Sequence, residues 1–300
     1  MFKIPPSINA GGAIAPEYIA GLIEGDGSIK VPSTLRSDKG RLIYPSVTIV
    51  FVDKDLPLAE ILVKRLNGTL NKTTGNWYVL SIYKLSALHE LAKLVNGKFR
   101  TPKIEALCRL INWLNNYGKF EKINILPAEN SDILSNSWLA GYSDCDSNFL
   151  ISFTTSNLGI AKNIQLTYRL SQRQEYHRES SAGTSYLNIL TTIATAFLIK
   201  PTLYQRERIN PKTKQSYSEK GYLVTVKGLE SRIALINYFT KFPLLSSKYL
   251  DYLNWVEAHE LVNKKQYKTV VGTAKLLELK TSMNSLRTNF NWKHLDGLNN

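Results

Sequence analysis

A short motif that occurs twice constrains the fold of this chain more than any other feature. Residues 18–28 read YIAGLIEGDGS, and residues 138–148 read WLAGYSDCDSN. In each copy an aromatic and an aliphatic residue precede Ala-Gly and acidic residues follow, so that Asp26 and Asp146 occupy the same place, 120 residues apart. A repeat of this length indicates a duplicated structural unit, and 300 residues suffice for two such units.

The segments that follow each motif also repeat. Period-2 alternation predicts strands, and helical periodicity predicts helices between and after them. In the first unit the predicted elements are strands at 28–37, 42–52 and within 69–83, and helices at 55–66, 86–95 and 103–114. In the second unit they are strands at 148–156, 163–173 and within 202–226, and helices at 185–198, 230–239 and 248–261. We therefore predict an α+β fold of two pseudo-symmetric αββαββα-type repeats, each an antiparallel four-stranded sheet with helices on one face.

This pattern divides the chain into five parts. The expected parts are an irregular leader at 1–16, a first repeat at 17–118, a polar linker at 119–135, a second repeat at 136–266 and a C-terminal extension at 267–300. The leader has neither a transit-peptide pattern nor a secretory apolar segment. The sequence leaves open whether the extension packs on the second repeat or reaches along a partner.

Charge narrows the classes of partner. The chain has 38 Lys and Arg against 24 Asp and Glu, a net charge of +14. Residues 1–120 carry 16 basic and 9 acidic side chains and residues 121–300 carry 22 and 15, so each part has a net charge of +7. A surplus on both halves favours a polyanion, and nucleic acid is the leading candidate. No apolar run approaches the ~18 residues of a membrane span, and two cysteines with four scattered histidines predict no zinc site.

Alternation along the predicted strands gives each sheet one polar face. The polar positions are Ser28, Lys30, Thr34, Arg36, Tyr44, Ser46 and Thr48 in the first repeat, and Asn148, Ser152, Thr154, Gln165, Thr167 and Arg169 in the second. Such a face is either simply solvated or a binding surface, and a two-stranded ribbon fits the major groove of DNA. Two such faces would form one long basic platform.

Small residues in the motif predict that two helices pack closely. They stand four positions apart on one helix face, as Gly21 and Gly25 in the first copy and Gly141 and Cys145 in the second. Packing of the two copies would bring Asp26 and Asp146 together at the helix ends. Adjacent carboxylates repel unless a cation neutralises them, and an oxygen-only cluster suits Mg²⁺. Each acid alone could instead be a turn residue, but a calcium loop is excluded because Phe149 stands where that loop requires Gly.

The two motifs resemble the signature of a known family. IAGLIEGDG (19–27) and LAGYSDCDS (139–147) are similar to the motifs of the monomeric, two-motif LAGLIDADG homing endonucleases, and the resemblance covers about residues 16–265. The second copy has Ser147 where the family usually has Gly. The resemblance implies a nuclease that binds a long asymmetric double-stranded DNA site. It would hydrolyse one phosphodiester in each strand with Mg²⁺, leaving short 3′ overhangs, and Mn²⁺ or Ca²⁺ would substitute in binding.

The resemblance also implies roles for particular residues. The last acid of each motif and the carbonyl before it bind the metal, which points to Asp26, Asp146, Gly25 and Cys145. Lysines near the start of the last helix of each repeat assist the chemistry, which points to Lys103 and Lys248. A polar residue at the end of each second strand lies near the site, which points by position to Asp53 and Gln172. Further predicted DNA contacts are Arg41, Lys72, Tyr204, Arg206 and Lys212.

Two other functions are possible on such a fold. Some relatives are maturases that bind the host intron RNA and assist splicing, and a third class would be a non-catalytic DNA-binding regulator. Retention of both Asp26 and Asp146 favours the nuclease. Family members are frequently encoded in fungal mitochondrial introns, so we expect a monomer made in the mitochondrial matrix, with no obligate protein partner and no membrane association.

Overall fold

The computed structural model describes residues 12–34, 36–179, 183–210 and 213–298. The first repeat contains α1 (Pro16–Asp26), β1 (Gly27–Lys30), β2 (Ser46–Val52), α2 (Leu56–Leu66), β3 (Thr69–Lys72), β4 (Trp77–Ile82), α3 (Leu85–Val95) and α4 (Ile104–Tyr117). The second contains α5 (Trp138–Asp146), β5 (Ser147–Thr155), β6 (Ala161–Arg173), α6 (Leu187–Ala196), β7 (Thr202–Ile209), β8 (Ser216–Val226), α7 (Leu229–Lys241) and α8 (Lys248–Asn263). A further helix, α9 (Val270–Thr281), follows.

The two repeats have the same sheet topology. The strand orders are β1-β2-β4-β3 and β5-β6-β8-β7, and all neighbouring strands are antiparallel. On the face of β2 that packs against the helices, Val47 and Ile49 are fully buried. The predicted α+β fold of two pseudo-symmetric repeats is therefore confirmed. No helix in the described ranges has the length and apolar character to cross a bilayer.

The first strand pair is shorter than predicted. β1 ends at Lys30 instead of residue 37, and β2 begins at Ser46 instead of residue 42. Pro32 and Pro45 flank this segment, and proline cannot donate to a strand ladder. The predicted strand positions Thr34, Arg36 and Tyr44 therefore lie in an exposed connection, as does Arg41, and Arg36 pairs with Leu42 in an isolated bridge. Tyr44 packs edge-on against two aromatic rings of α4, those of Trp113 and Tyr117.

The alternation in the second repeat is also imperfect. The register of β5 against β6 shifts between Ser152 and Thr154, which marks a β-bulge, and Asn163 in β6 has a φ of 49°. A bulge inserts one unpaired residue and re-aims the side chains beyond it. Thr167, predicted on the open face, is only 5% exposed. Thr167 pairs with Leu150 in the regular part of the ladder, so the bulge does not explain its burial, and its predicted exposure was wrong.

The C-terminal extension packs on the second repeat. Thr273 of α9 accepts a hydrogen bond from the backbone N–H of Ala161 at the start of β6 (2.8 Å). Farther along, the ring Nε2 of His294 lies 3.0 Å from the carbonyl oxygen of Leu245, just before α8. The structure therefore shows the extension packed on the second repeat, the first of the two alternatives that the sequence left open. Residues 1–11 of the predicted leader lie outside the described residues.

Candidate active site

Helices α1 and α5 cross with their backbones in direct contact. A Cβ built on Gly21 would overlap the carbonyl oxygen of Trp138, and one built on Gly141 would overlap that of Tyr18. A Cβ on Gly25 would overlap the side chain of Cys145, so the cysteine fills the space that the glycine leaves open. Only glycine lets the two helices approach this closely at 21 and 141.

This crossing brings the ends of the two helices together. Asp26 is the last residue of α1 and Asp146 is the last residue of α5. Both carboxylates line one open cavity, together with Lys103, Gln172 and the start of β1. We call this the first cavity.

Burial raises the cost of ionising both carboxylates. Burial and the nearby charge of Asp26 together raise the pKa of Asp146 to about 6, although Lys248 and Lys103 oppose the shift. Burial also raises the pKa of Asp26, again against the two lysines. Without a metal ion, ionising both carboxylates therefore costs free energy, and a bound cation would remove this cost.

The available donors are of the kind that Mg²⁺ prefers. They are carboxylate oxygens of Asp26 and Asp146 and backbone carbonyl oxygens at the helix ends. No group of three or more His, Cys, Asp or Glu side chains suited to a metal ion occurs among the described residues. A divalent ion held by two carboxylates, carbonyl oxygens, water and substrate phosphates fits this donor set.

Two lysines hold the helix ends. Lys103 Nζ donates to three carbonyls at the end of α1, those of Ile23, Gly25 and Gly27 (3.0, 3.3 and 2.9 Å). Lys248 Nζ donates to two carbonyls at the end of α5, those of Ser143 and Cys145 (3.2 and 2.7 Å). A cation at a helix C-terminus is favoured by the helix dipole. Burial lowers the pKa of Lys103. The predicted lysines and the predicted metal-binding carbonyls are thus in direct contact.

A buried carboxylate positions each lysine, a feature that sequence reasoning missed. Glu24 accepts hydrogen bonds from the backbone N–H groups of Arg100 and Thr101 and from the Thr101 hydroxyl, two residues before Lys103. Its fourth donor is the indole Nε1 of Trp138 in the second repeat (2.6 Å). Desolvation nevertheless raises the pKa of Glu24 to about 7.

The second repeat carries the same arrangement. Asp144 accepts from the backbone N–H groups of Leu245 and Ser246 and from the Ser246 hydroxyl, two residues before Lys248. Its fourth donor is the hydroxyl of Tyr18 in the first repeat (2.6 Å). Each acid therefore ties its own lysine helix to the motif helix of the other repeat. The sequence contains a signal for these contacts. Each motif has an acid, Glu24 or Asp144, and the other motif begins with an aromatic residue that can donate a hydrogen bond, Trp138 or Tyr18.

Replacing Trp138 by Phe is expected to lower the free energy of unfolding by about 1.5–3 kcal/mol, because it removes a hydrogen bond to a buried carboxylate. Urea denaturation followed by circular dichroism measures the change. The matched control is Trp255→Phe, since Trp255 is equally buried but its Nε1 has no partner in the described part of the chain. Equal losses for both variants would show that only ring packing matters at Trp138.

Gln172 and Asp53 lie in different environments. Gln172 Nε2 donates to Asp146 Oδ2 (3.1 Å) and to the Tyr142 hydroxyl oxygen (2.7 Å). Asp53 instead forms an ion pair with Lys72 (3.1 Å), and both side chains are about half exposed. The positional match between Asp53 and Gln172 is wrong. The first residues of β1 and β5, Gly27 and Ser147, pair with Ile49 and Leu170. Gln172 lies two residues after Leu170, so its equivalent in the first repeat is Phe51, two residues after Ile49.

Ser147 replaces the usual glycine without strain. Its backbone is extended (φ −105°, ψ 164°), a conformation open to any residue. Its hydroxyl donates to the carbonyl oxygen of Ser143 (2.6 Å), which caps the last turn of α5. The departure from the family motif therefore costs no backbone strain.

The remaining predicted DNA contacts differ in how far they are exposed. Exposed positions on the sheets are Ser28, Lys30, Asn148, Ser152, Thr154, Gln165 and Arg169, whereas Ser46, Thr48 and Tyr204 are partly buried. Arg206 lies over the ring of Tyr204 (5.3 Å to the centroid) and donates twice to Glu219 (2.7 and 3.0 Å), so its charge is already paired. Lys212 lies outside the described residues.

Four more basic side chains line the first cavity and were not predicted. They are Arg109 of α4, Arg173 at the end of β6, and His177 and Arg178 in the connection to α6. Residues 174–186 join β6 to α6, whereas only residues 53–55 join β2 to α2. For His177 and Arg178, this difference in length between the repeats was the available signal.

Comparison with known proteins places the chain in a family. The LAGLIDADG endonuclease family model matches residues 19–121 and 139–259. The chain is 35% identical to the intron-encoded DNA endonuclease aI3 of Saccharomyces cerevisiae, over 93% of this chain and 71% of that protein. It is 28% identical to an uncharacterized cox1 intron-2 protein of Schizosaccharomyces pombe, over 86% of this chain and 69% of that protein.

Solved structures share the fold. The LAGLIDADG homing endonuclease I-GzeII in complex with its DNA target superposes with a TM-score of 0.66 at 17% identity, covering 92% of this chain and all of that one. I-SmaMI bound to uncleaved DNA in the presence of calcium ions gives 0.63 at 16% identity, covering 90% of this chain and 99% of that one. The two matched copies of the family model contain the two crossed helices that end at Asp26 and Asp146, and the chain belongs to the LAGLIDADG endonuclease family.

Proposed function

We propose that this protein is a site-specific homing endonuclease that cleaves both strands of a long, asymmetric DNA site with divalent metal ions. The observation that carries the proposal is the meeting of Asp26 and Asp146 at the ends of two crossed helices, beside Lys103 and in one open cavity. The relatives support it, because the protein that shares 35% identity is named an intron-encoded DNA endonuclease.

The residues of the cavity have complementary tasks in phosphodiester hydrolysis. Asp26 and Asp146, with the carbonyls of Gly25 and Cys145, would hold the metal. When bound, Mg²⁺ would supply Lewis-acid stabilisation of the leaving oxygen and of the phosphate charge. Gln172 orients the Asp146 carboxylate through its hydrogen bond, so that Oδ2 keeps one position. Lysine charge at the same edge favours an approaching phosphate and the negative charge that develops in the transition state.

The two sheets would carry the DNA. Their exposed polar positions, among them Lys30, Gln165 and Arg169, project from β1 and β6 on either side of the crossed helices. The net charge of +7 in each part of the chain suits a duplex that touches both. Each phosphate neutralised should add about −0.9 to the slope of log K against log salt. The cox1 intron protein among the relatives supports a mitochondrial origin for this chain too, with the matrix as its compartment.

Cleavage of the uninterrupted host-gene junction tests the proposal. Purified protein, Mg²⁺ and a duplex of the joined exons with a different 5′ label on each strand should give one cut per strand and short 3′ overhangs. The same junction interrupted by inserted DNA serves as the control and should stay intact. A folded protein that cuts neither strand of the joined exons but binds the host intron RNA would replace this proposal with the maturase function.

The metal-free protein is expected to lose stability as the pH rises from about 4.5 to 7.5. In the folded state the pKa values of Asp146 (about 6) and Glu24 (about 7) are raised. The stability that these two groups contribute is therefore fully present below their ordinary pKa values and is lost as the pH rises through 6–7. We expect the melting temperature to fall by roughly 3–6 °C, about 1–2 kcal/mol. Mg²⁺ should restore part of the loss at pH 7.5 and none at pH 4.5. A melting temperature that rises over this range would contradict these assignments.

A further inference from the structure

The C-terminal extension reaches a second cavity that mirrors the first. This second cavity is lined by Lys248 and the start of β5, where the first has Lys103 and the start of β1. Its remaining wall includes Asn284, Ser285 and Arg287. These three residues follow α9 and have no counterpart in the first repeat, where the linker follows α4 instead.

The first cavity obtains one arginine from its own helix. Arg109 stands six residues after Lys103 in α4, lines the first cavity and pairs with Glu105 one turn earlier. The equivalent position in α8, six residues after Lys248, is Asn254, which is not a cation. The second repeat therefore lacks this guanidinium on its own helix.

Asn254 instead anchors the extension. Its Nδ2 donates to the Leu279 carbonyl, the Ser282 carbonyl and the Ser282 hydroxyl (3.3, 3.3 and 2.9 Å). Beyond this anchor, Asn284 Nδ2 donates to the Phe149 carbonyl in β5 (3.0 Å). The side chain that replaces Arg109 thus fixes the segment that brings another arginine to the second cavity.

Arg287 lines that cavity, and its guanidinium is only partly paired. Its Nε donates to Asp251 Oδ1 (2.9 Å), which also accepts from the Asn284 backbone N–H (3.1 Å). The Arg287 side chain is 10% exposed and that of Asp251 is 4% exposed. Arg287 Nη2 has no hydrogen-bond partner among the described residues. A buried donor without an acceptor is costly, and because Arg287 also lines the second cavity, an anion that enters this cavity could supply the acceptor.

We infer that Arg287 is a phosphate-binding residue of the second cavity and the functional counterpart of Arg109 in the first. Its ligand is a backbone phosphate of the strand cut beside Lys248, since guanidinium groups suit phosphate oxygens and Asp251 already fixes the orientation of this one. The inference rests on the proposed endonuclease function. It gives the extension a role in binding the DNA strand beside Lys248, in addition to packing on the second repeat.

Strand-resolved cleavage of the dual-labelled exon-junction duplex tests the inference. Lys103→Ala and Lys248→Ala first identify the strand whose cleavage depends on each lysine. Arg287→Ala combined with Asp251→Asn, which avoids a buried unpaired carboxylate, should slow the Lys248 strand about 10–100-fold and leave the other within about twofold. Arg109→Ala should slow the opposite strand. Lys275→Ala is the matched control, because it removes a cation of the extension that pairs with Glu257 and Glu278 outside the cavity.

The outcomes separate the inference from the function on which it rests. If the wild type cuts both strands, three results for the Arg287 variant overturn the inference alone. The variant could slow both strands equally, slow the Lys103 strand, or slow neither strand at an unchanged melting temperature. Wild type that cuts neither strand overturns the endonuclease proposal and the inference with it. Should the double variant melt below the assay temperature, Arg287→Lys should still slow the Lys248 strand selectively, because it keeps the charge but lacks the planar fork of N–H donors. Equal rates on the two strands would then overturn the inference.

Discussion

Asp146→Asn is expected to abolish cleavage of both strands, with single-turnover rates at least ~10³-fold below wild type. The change removes a charged metal ligand shared by the cavity, and the lost transition-state stabilisation amounts to several kcal/mol. Asp26→Asn should behave alike. The folded state should not suffer, because burial already raises the pKa of Asp146 to about 6 and a neutral amide avoids that cost.

Asp53→Asn is the matched control for these variants. Asp53 is an acid of the same type near the end of β2, but it pairs with Lys72 and does not line the first cavity. We expect its cleavage rate within about threefold of wild type, in keeping with the small effect of exposed ion pairs. Wild-type cleavage by Asp146→Asn, or an equally severe loss in Asp53→Asn, would contradict the assignment of the two acids.

Gly141→Ala is expected to lower the free energy of unfolding by about 3 kcal/mol, at the upper end for overpacking. The added Cβ would overlap the carbonyl oxygen of Tyr18, which belongs to the backbone of α1 and cannot rotate away. The helices must separate, and Asp26 and Asp146 then move apart, so cleavage should fall as well. Urea denaturation and the cleavage assay measure the two effects.

A second glycine provides the comparison for Gly141. Gly228 has an ordinary backbone conformation (φ −60°, ψ 153°), and a Cβ there would meet nothing closer than the Ser231 hydroxyl oxygen at 3.7 Å. Gly228→Ala should therefore change the free energy of unfolding by less than about 1 kcal/mol. Equal effects at 141 and 228 would show that the helix crossing is looser than described.

The repeated motif predicted the centre of the molecule because its constraints are local. Gly21 and Gly141 can be identified from four-residue spacing alone, and an acid at the end of each helix then follows from the sequence. Strand alternation predicted both sheets for the same reason. It failed where proline broke the pattern, as at Pro32 and Pro45 in the first repeat.

The rest depends on contacts between distant residues that no local pattern encodes. Asp53 and Gln172 look equivalent by position along the chain, and only the strand register separates them. The hydrogen bond from Trp138 to Glu24 joins residues 114 positions apart. Arg287 reaches the second cavity through a segment that has no repeat partner, so duplication gave no means to predict its place.

Anomalous scattering from Mn²⁺ in a crystal of the protein bound to its DNA site tests the metal centre most directly. We predict peaks between the ends of α1 and α5, within about 2.0–2.6 Å of carboxylate oxygens of Asp26 and Asp146 and beside backbone phosphates of the two strands. Cleaved DNA in the crystal without a peak at these carboxylates, or peaks held only by other side chains, would contradict the proposed site.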